Sequence, residues 1–388
     1  NEIVIVSAGS SAGTRDFTAP VISGIGRVLV HGIAMKPGKP VIIGKVGGKP
    51  VIGLPGYPLS ALTVLREIVT PLLSRFGLAL PGLETISATV TSTIPSDPGT
   101  DEFVLLAAGK VGDRYVASPL SRGAGVQMSA VRANAYLRVP AGVEGFEAGP
   151  GIPVHLMVPR LQVDSALLLT GSHDPCLDIL ADILQFSAIE AHSAHVGSMG
   201  GLIALKKDEC HAAPMHLLAE DGRYNVPYLD RYLPDTPLVL LSVAGREQGI
   251  VSRDGIGIED LPGHTFINRQ RGSGTRILLD HELLKRSIDP TSIRGYEREA
   301  TTHLGVALAV KTGEADAGMC VYSAAKSLGL KFVPVGVERY ELAIRKAHWD
   351  DRRVQALAEA VRSDRLRLDL TRMGGYDLSI TGGIRELH

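Results

Sequence analysis

Two patterns suited to holding a negatively charged group recur along this sequence. One is a small-residue turn directly after a strand, and the other a hydroxyl-bearing turn directly before a helix. The first pattern opens the chain. Ser7-Ala8-Gly9-Ser10-Ser11-Ala12-Gly13-Thr14-Arg15-Asp16 is followed by Lys36-Pro37-Gly38-Lys39-Pro40 and by Leu54-Pro55-Gly56-Tyr57-Pro58. Backbone N–H groups at Gly9, Ser10, Ser11 and Gly13 can approach an oxyanion closely, as they do in phosphate cradles. Lys36 and Lys39 add point charges, while the intervening Pro and Gly fix the loop's shape. Asp16, just past the turn, is placed to hold a Mg²⁺ ion that bridges oxyanion oxygens. Taken singly, a glycine-rich turn is usually only a turn and a surface lysine is usually solvated. The combination carries the weight.

The second pattern recurs after Ser165, in a span too long for a minor appendage. Four polar turns each precede a helical stretch: Gly171-Ser172-His173-Asp174-Pro175, His195-Val196-Gly197-Ser198-Met199-Gly200-Gly201, Asn268 through Arg276, and Glu299-Ala300-Thr301-Thr302-His303. Helix starts present unpaired N–H groups and a partial positive charge. Hydroxyls of Ser172, Ser198, Thr301 and Thr302 can donate to an anion, although capping the helix is an equally good use for them. His173 is a further candidate, and His303 is as well placed to pack as to bind. Arg271-Gly272-Ser273-Gly274-Thr275-Arg276 is the sharpest of the four. Two glycines flank Ser273 ahead of a helix, with a cation on either side.

The elements that position these turns follow from hydrophobic spacing. Up to about residue 80, short apolar runs (Ile3–Val6, Val28–Val30, Val41–Ile43, Val51–Gly53) alternate with loops and lead into a helix from Leu59 to about Phe76. Strand, loop, strand, loop, helix is α/β architecture. Glu2–Val6 reads as a buried strand already in progress, so the chain is expected to begin inside a domain. From Glu84 to Pro159, alternating runs at Ile86–Val90, Phe103–Leu106, Tyr115–Ser118, Leu137–Val139 and Val154–Val158 predict a small all-β domain, a barrel or a sandwich. Pro159–Ser165 is expected as a linker. Beyond it the α/β pattern returns: strands at Leu167–Thr170 and Leu238–Val243, helices at Pro175–Leu184, Thr275–Lys285, Thr301–Lys311 and Asp350–Val361.

Composition limits the rest. A length of 388 residues asks for two or three cores. A formal net charge of −1 gives no reason to expect nucleic acid or an acidic membrane surface as partner. No apolar run reaches the ~18–20 residues of a membrane helix. Cys176, Cys210 and Cys320 are far apart and without metal-ligand spacing, which suits a reducing compartment.

As a set, the first three motifs resemble those of the molybdopterin molybdenumtransferases, gephyrin-type enzymes included, whose pattern reads S-G-G-x-S-x-G-x-x-D, K-P-G-K-P and L-P-G-N-P. Pro119–Gly125 and Ala133-Asn134-Ala135 extend the likeness, so that it covers roughly residues 1–159. The resemblance implies part of a molybdopterin-binding α/β domain at 1–80 and the family's small β-barrel domain at 81–160. It further implies a cytoplasmic enzyme of molybdenum cofactor biosynthesis, in which adenylylated molybdopterin reacts with molybdate and AMP leaves. Asp16 would then be the catalytic and Mg²⁺-site carboxylate, and Lys36 and Lys39 would neutralise phosphate or oxyanion. Gly9, Ser10, Ser11, Gly13, Pro55 and Pro58 would line the substrate. Family members pair as dimers, which leaves a homodimer open. Tyr57 in place of the usual Asn, Ala8 in place of Gly, and the lack of an arginine in Thr100–Phe103 are departures. They motivate an alternative: a sensor or scaffold that binds molybdate, tungstate or molybdopterin without turnover.

Residues 165–388 resemble the periplasmic-binding-protein-like domain fused behind such enzymes. The matching stretches include Gly197–Leu202, Arg246-Glu247-Gln248-Gly249, Asn268–Arg276 and Gly295–Glu299. This implies two α/β lobes that close on a small anion or a cofactor intermediate. Ser172, His173, Ser198, Arg271, Ser273, Gly274, Thr275, Arg276, Thr301 and Thr302 would line the cleft. Molybdate and tungstate, alike in size and charge, are both admitted.

Overall fold

In the computed structural model, which describes residues 2–7, 17–78, 82, 84–122 and 127–388, the chain divides into two units, Asn1–Asp164 and Ser165–His388. Gly9, Ser10, Ser11, Gly13 and Asp16 lie outside the described residues. The first unit opens with β1 (Val4–Ser7), α1 (Thr18–Ile25), β2 (Arg27–His31), β3 (Met35–Lys36), β4 (Ile42–Val46) and β5 (Lys49–Leu54). Four of these strands form a sheet in the order β1-β5-β4-β2. The hairpin β4–β5 turns through Gly47 and Gly48, both at positive φ, as a two-residue hairpin requires. The first strand was expected to be buried. It is instead an edge strand whose Val4 and Ile5 are 37% and 44% exposed.

The helix expected from Leu59 to Phe76 is broken into three parts. α2 (Pro58–Val64) passes into a π turn at Leu65–Val69 and then into α3 (Thr70–Arg75). Pro71 is the cause: it has no N–H for the carbonyl four residues back, so the turn widens. Thr70 then donates to the Leu65 carbonyl through both its backbone N–H and its hydroxyl.

The all-β part comprises β6 (Thr85–Val90), β7 (Ile94–Pro95), β8 (Asp101–Val111), β9 (Arg114–Pro119), α4 (Gln127–Arg132), β10 (Ala135–Val139), β11 (Gly145–Phe146) and β12 (Gly149–Leu156). Strands run in the order β10-β12-β6-β9-β8, and β10 pairs again with β8. The sheet therefore closes, and of the two expected forms this is the barrel. Closure is possible because β8 is eleven residues long: its later part pairs with β9 and its earlier part with β10. Inward-facing Ile86, Ala88, Val90, Val104, Leu106, Ala117, Leu137 and Val154 fill the interior. β3 adds to the outside of β8, setting Lys36 beside Glu102. The expected linker is largely a helix, α5 (Arg160–Asp164), because Val163 is apolar enough to be buried in the barrel's core cluster.

The second unit begins with β13 (Leu167–Gly171), α6 (Cys176–Gln185), β14 (Ala191–His195), α7 (Gly197–Lys206), β15 (Ala213–Met215) and α8 (Val226–Tyr232). Then come β16 (Leu238–Ser252), β17 (Phe266–Arg269), α9 (Gly274–Lys285), β18 (Glu299–Ala300), α10 (His303–Lys311), β19 (Ala317–Val321), α11 (Tyr322–Ser327) and β20 (Lys331–Arg345). The chain closes with α12 (Arg352–Arg362), α13 (Asp364–Met373), β21 (Tyr376–Asp377) and β22 (Ile384–Leu387). β16 was expected to stop at Val243 but runs nine residues further, antiparallel to β20 along its whole length. These two long strands belong to both lobes. Near Leu238–Leu241 they join β15 and β22, and near Gln248–Ser252 they join β19, which continues to β17 and β18. Each lobe has its own core. Leu177, Leu180 and Leu184, at helical spacing on α6, pack with β13, β16, β20 and α12 in the first lobe. Leu278, Leu279 and Leu283 of α9 do the same for the second. All three cysteines are buried thiols. Among the described residues no helix is long and apolar enough to cross a membrane.

One motif residue of the first unit is explained by the barrel. Asn134 is buried, and its amide both accepts from the Ala108 N–H at 2.7 Å and donates to the Ala108 carbonyl at 2.8 Å. It thus completes the ladder where β8 passes from one neighbour to the other. Asn134→Ala strands both backbone groups, and denaturant titration followed by far-UV circular dichroism is expected to show the first unit weakened by about 2 kcal/mol. The unfolding midpoint reported by Trp349 fluorescence in the second unit should stay where it is.

Candidate functional site

The middle of the crossing strands is polar although it has no access to water. Arg246 on β16 and Glu338 on β20 stand directly opposite each other in register, both fully buried. Arg246 donates through Nη2 to Glu338 and through Nη1 to Asp174 Oδ2 at 2.7 Å. Its guanidinium lies 4.2 Å from the Tyr340 ring centroid. Asp174, from the turn after β13, also accepts from the Cys176 N–H and from the Tyr376 hydroxyl. Besides Arg246, Glu338 meets His216 Nδ1 and Gln248 Nε2, each at 2.7 Å. The Arg246 charge outweighs burial and holds Glu338 ionised, its pKa lowered to about 2, and Asp174 is lowered for the same reason.

His216 carries this network to the helix starts. Its Nδ1 faces a carboxylate, so Nδ1 bears the proton and Nε2 is left to accept from the Ser172 hydroxyl at 2.7 Å. Its backbone N–H donates to Ser198 Oγ. Ser273 caps α9, its Oγ accepting from the Arg276 N–H. Gly274 follows, and a methyl group there would collide with both Nδ1 and the carbonyl of His216. Ser172, Ser198 and Gly274, spread over a hundred residues of sequence, therefore surround one histidine.

Six residues around this cluster have buried polar atoms without a hydrogen-bond partner: Arg246 Nε, Gln248 Oε1, Arg269 Nε, Thr275 Oγ1, His173 Nδ1 and both ring nitrogens of His303. Arg269 is 3% exposed, gives Nη1 to Gln270 and to the Ala300 carbonyl, and among the described residues has no carboxylate within 4 Å. Burial, and the like charge of Arg246, push it down to about 10. It remains charged at pH 7. His173, His216 and His303 are all shifted down, burial being the largest cause in each case, so they are neutral at pH 7. Arg269, Arg246, His216 and His173 are all among the groups that disfavour a proton on His303, which places them in one neighbourhood.

Other residues singled out from the sequence lie elsewhere. Arg271 is on the surface, paired with Glu297 and near Glu299. Arg276 is buried but turned towards the Tyr296 ring, 4.1 Å from its centroid, and towards Asp280. Thr301 is exposed and Thr302 caps α10. Conversely, Arg246, Gln248, Arg269, His216 and Glu338 were given no role by the sequence. In the first unit Lys36 is exposed, with Nζ 3.6 Å from Asp97 and 3.7 Å from the buried carboxylate of Glu102. Glu102 also accepts from Ser96 at 2.7 Å and faces Arg122. Lys39 and Pro58 are exposed, Pro55 is buried, and Tyr57 is 64% exposed. Among the described residues no group of three His, Cys, Asp or Glu side chains is placed to hold a metal ion.

Comparison with known proteins divides along the same lines. Residues 1–75 match the family described as probable molybdopterin binding domain, residues 87–157 the MoeA C-terminal region (domain IV), and residues 183–362 the PBP superfamily domain. The chain is 30% identical to the uncharacterized protein YvgK of Bacillus subtilis over 226 residues, 56% of this chain and 73% of that one. It is 43% identical to the molybdopterin molybdenumtransferase of Haemophilus influenzae over 74 residues, 19% of this chain and 18% of that protein. A solved molybdopterin biosynthesis MoeA protein from Pyrococcus is 38% identical over 40% of this chain and 37% of its own, with a TM-score of 0.34. The chain thus spans less than two-fifths of either molybdopterin-type relative. The chain belongs to one family with YvgK, while its first unit is similar to molybdopterin molybdenumtransferases of molybdenum cofactor biosynthesis and its second matches the PBP superfamily domain.

Proposed function

We propose that the protein takes part in inserting molybdate into adenylylated molybdopterin, and that the cleft of its second unit holds a small anion or a cofactor intermediate for that reaction. The buried, carboxylate-free Arg269 carries the reading of the cleft. A guanidinium removed from water costs several kcal/mol unless a counter-charge is supplied. Here the nearest carboxylates are already committed to Arg246. A ligand anion would supply the missing charge, with Thr275 Oγ1 and a ring N–H of His303 as further donors. The lining is buried from both lobes, so entry and exit would require the lobes to part and close again.

For the first unit the reading rests on the motif set and the family. Within it Lys36 and Lys39 would meet phosphate or oxyanion, and Asp16 would be the catalytic carboxylate. The position of Lys36 between Asp97 and Glu102 favours a second reading, in which this unit binds cofactor without turnover. Supplying adenylylated molybdopterin and molybdate to the full-length protein separates the two. AMP release with metal transfer supports insertion, and binding without release supports a scaffold.

Two measurements test the cleft. Calorimetric titration with molybdate, tungstate, sulfate, phosphate and a pterin monophosphate should give saturable binding for at least one. Arg269→Met should weaken that binding at least tenfold, by analogy with other buried charge partners. Silence with every anion would count against the reading. The second measurement is pH-dependent stability. The folded-state pKa values of His173, His216 and His303 lie below the ~6.5 of an unfolded chain. The unfolded chain therefore takes up more protons in acid, and the stability these groups leave intact at pH 7 is lost as pH falls below about 6.5. Trp349, the single tryptophan, packs against the core of the second unit's first lobe. Its fluorescence should show a falling unfolding temperature between pH 7 and pH 5. In His303→Gln that fall should be shallower, and an equally steep fall would refute a titrating role for His303.

A further inference from the structure

The unpartnered atoms of the cleft are not all donors. Arg269 Nε can only donate, which suits an anionic oxygen. Gln248 Oε1 can only accept. Its orientation is fixed by its surroundings: Nε2 donates to Glu338 at 2.7 Å, and a flipped amide would turn oxygen against carboxylate. Glu338 cannot give way by taking up a proton, because Arg246 and His216 both hold it ionised. A carbonyl-type acceptor is therefore presented, fully buried and without a partner, on a side chain that bonds Glu338, whose charge also acts on Arg269. Neutral His303 adds one donor and one acceptor, and Thr275 Oγ1 serves either way.

We propose that the cleft selects an anion that itself carries a hydrogen-bond donor, and that Gln248 is the residue that reads the donor. Two sources share this chemistry. One is an inorganic oxyanion that keeps a proton at neutral pH, and the other is an organic anion with N–H or O–H groups beside its charge, such as a phosphorylated heterocycle. A fully deprotonated tetrahedral dianion has acceptors only. It would set oxygen against Gln248 Oε1 and leave that atom unsatisfied in a dry site, an error that binding sites of this type penalise heavily. The proposal rests on the reading of the cleft as an anion site and narrows its ligand, placing molybdate, tungstate and sulfate among the poorly bound anions.

Matched pairs of ions isolate the donor. At neutral pH phosphate and arsenate keep a proton, whereas sulfate and selenate of similar size do not. Calorimetry on the full chain is expected to show the protonated member of each pair bound at least tenfold more tightly. Gln248→Met should bring each ratio close to one. Arg269→Met should weaken both members together and leave the ratio unchanged. Binding of a pterin monophosphate alone, weakened tenfold or more by Gln248→Met, assigns the donor to the organic source. Sulfate, selenate or molybdate bound as well as phosphate overturns the proposal while the anion site stands. Failure of every anion to bind overturns both. Should Gln248→Met not fold, the two ion pairs measured on the unaltered protein still decide.

Discussion

A guanidinium sealed from water must find its counter-charges inside the protein, and Arg246 finds two, Asp174 and Glu338. The second unit is organised around that requirement. Removing one partner would leave an uncompensated buried charge, a loss of about 3–5 kcal/mol in comparable cases. Well-packed apolar replacements of such clusters are often no less stable, so a buried ion cluster is weak evidence of stability for its own sake. What the cluster supplies is orientation. Because Glu338 is ionised, His216 must put its proton on Nδ1, and Nε2 then receives Ser172. Because Glu338 is ionised, the Gln248 amide keeps its Nε2 and not its oxygen towards it. Because Asp174 is ionised, it accepts at the start of α6 and holds Tyr376 from the C-terminal β21. One ion cluster thus fixes a tautomer, an amide and a helix start.

Charge bookkeeping then singles out Arg269. The described charges of the region are two carboxylates and two guanidiniums, with three histidines kept neutral by burial. In sum they balance, but locally they do not. Both carboxylates are spent on Arg246, and Arg269 has only the Gln270 side chain and a backbone carbonyl. A helix start is a weaker argument for a ligand, since Ser273 and Thr302 show how readily such hydroxyls are used up as caps.

Much of this architecture was legible. Period-two alternation gave the barrel strands, and the helical spacing of Leu177, Leu180 and Leu184 gave α6. Of the hydroxyls singled out before helices, Ser172 and Ser198 both bond His216, whereas Ser273 caps α9. What they meet was not. Arg246 and Gln248 sit in the strand that was expected to end at Val243, because polar residues break an apolar run as a loop would. Their spacing of two, which puts both on one face of a strand, was the available signal. Glu338, ninety-two residues away from Arg246, was beyond any local pattern. The tract Asn268–Arg276 was rightly prominent, yet Arg269 points inward from β17 while Arg271 lies past the strand end among Glu297 and Glu299. Only the pairing of β17 with β18 separates the two. Pro71 was visible, but its effect on a helix that otherwise kept its period was not drawn.

The recognising groups are divided between the lobes in an unequal way. Arg246 and Glu338 lie on the strands common to both, so parting the lobes need not separate them. Gln248, Arg269, Thr275 and His303 belong to the second lobe, where β16 pairs with β19 and where β17, α9 and α10 begin. His173, Ser172 and Ser198 belong to the first, with His216 on the segment that follows β15. The lobes meet where Gly274 lies against His216, a contact that any side chain at 274 would prevent. An anion held by Arg269 and the α9 start would therefore sit against the one histidine whose proton is dictated by Glu338. Closure of the lobes and recognition of the ligand would then be a single event, with the ion cluster as its fixed floor and a glycine as its hinge-side clearance.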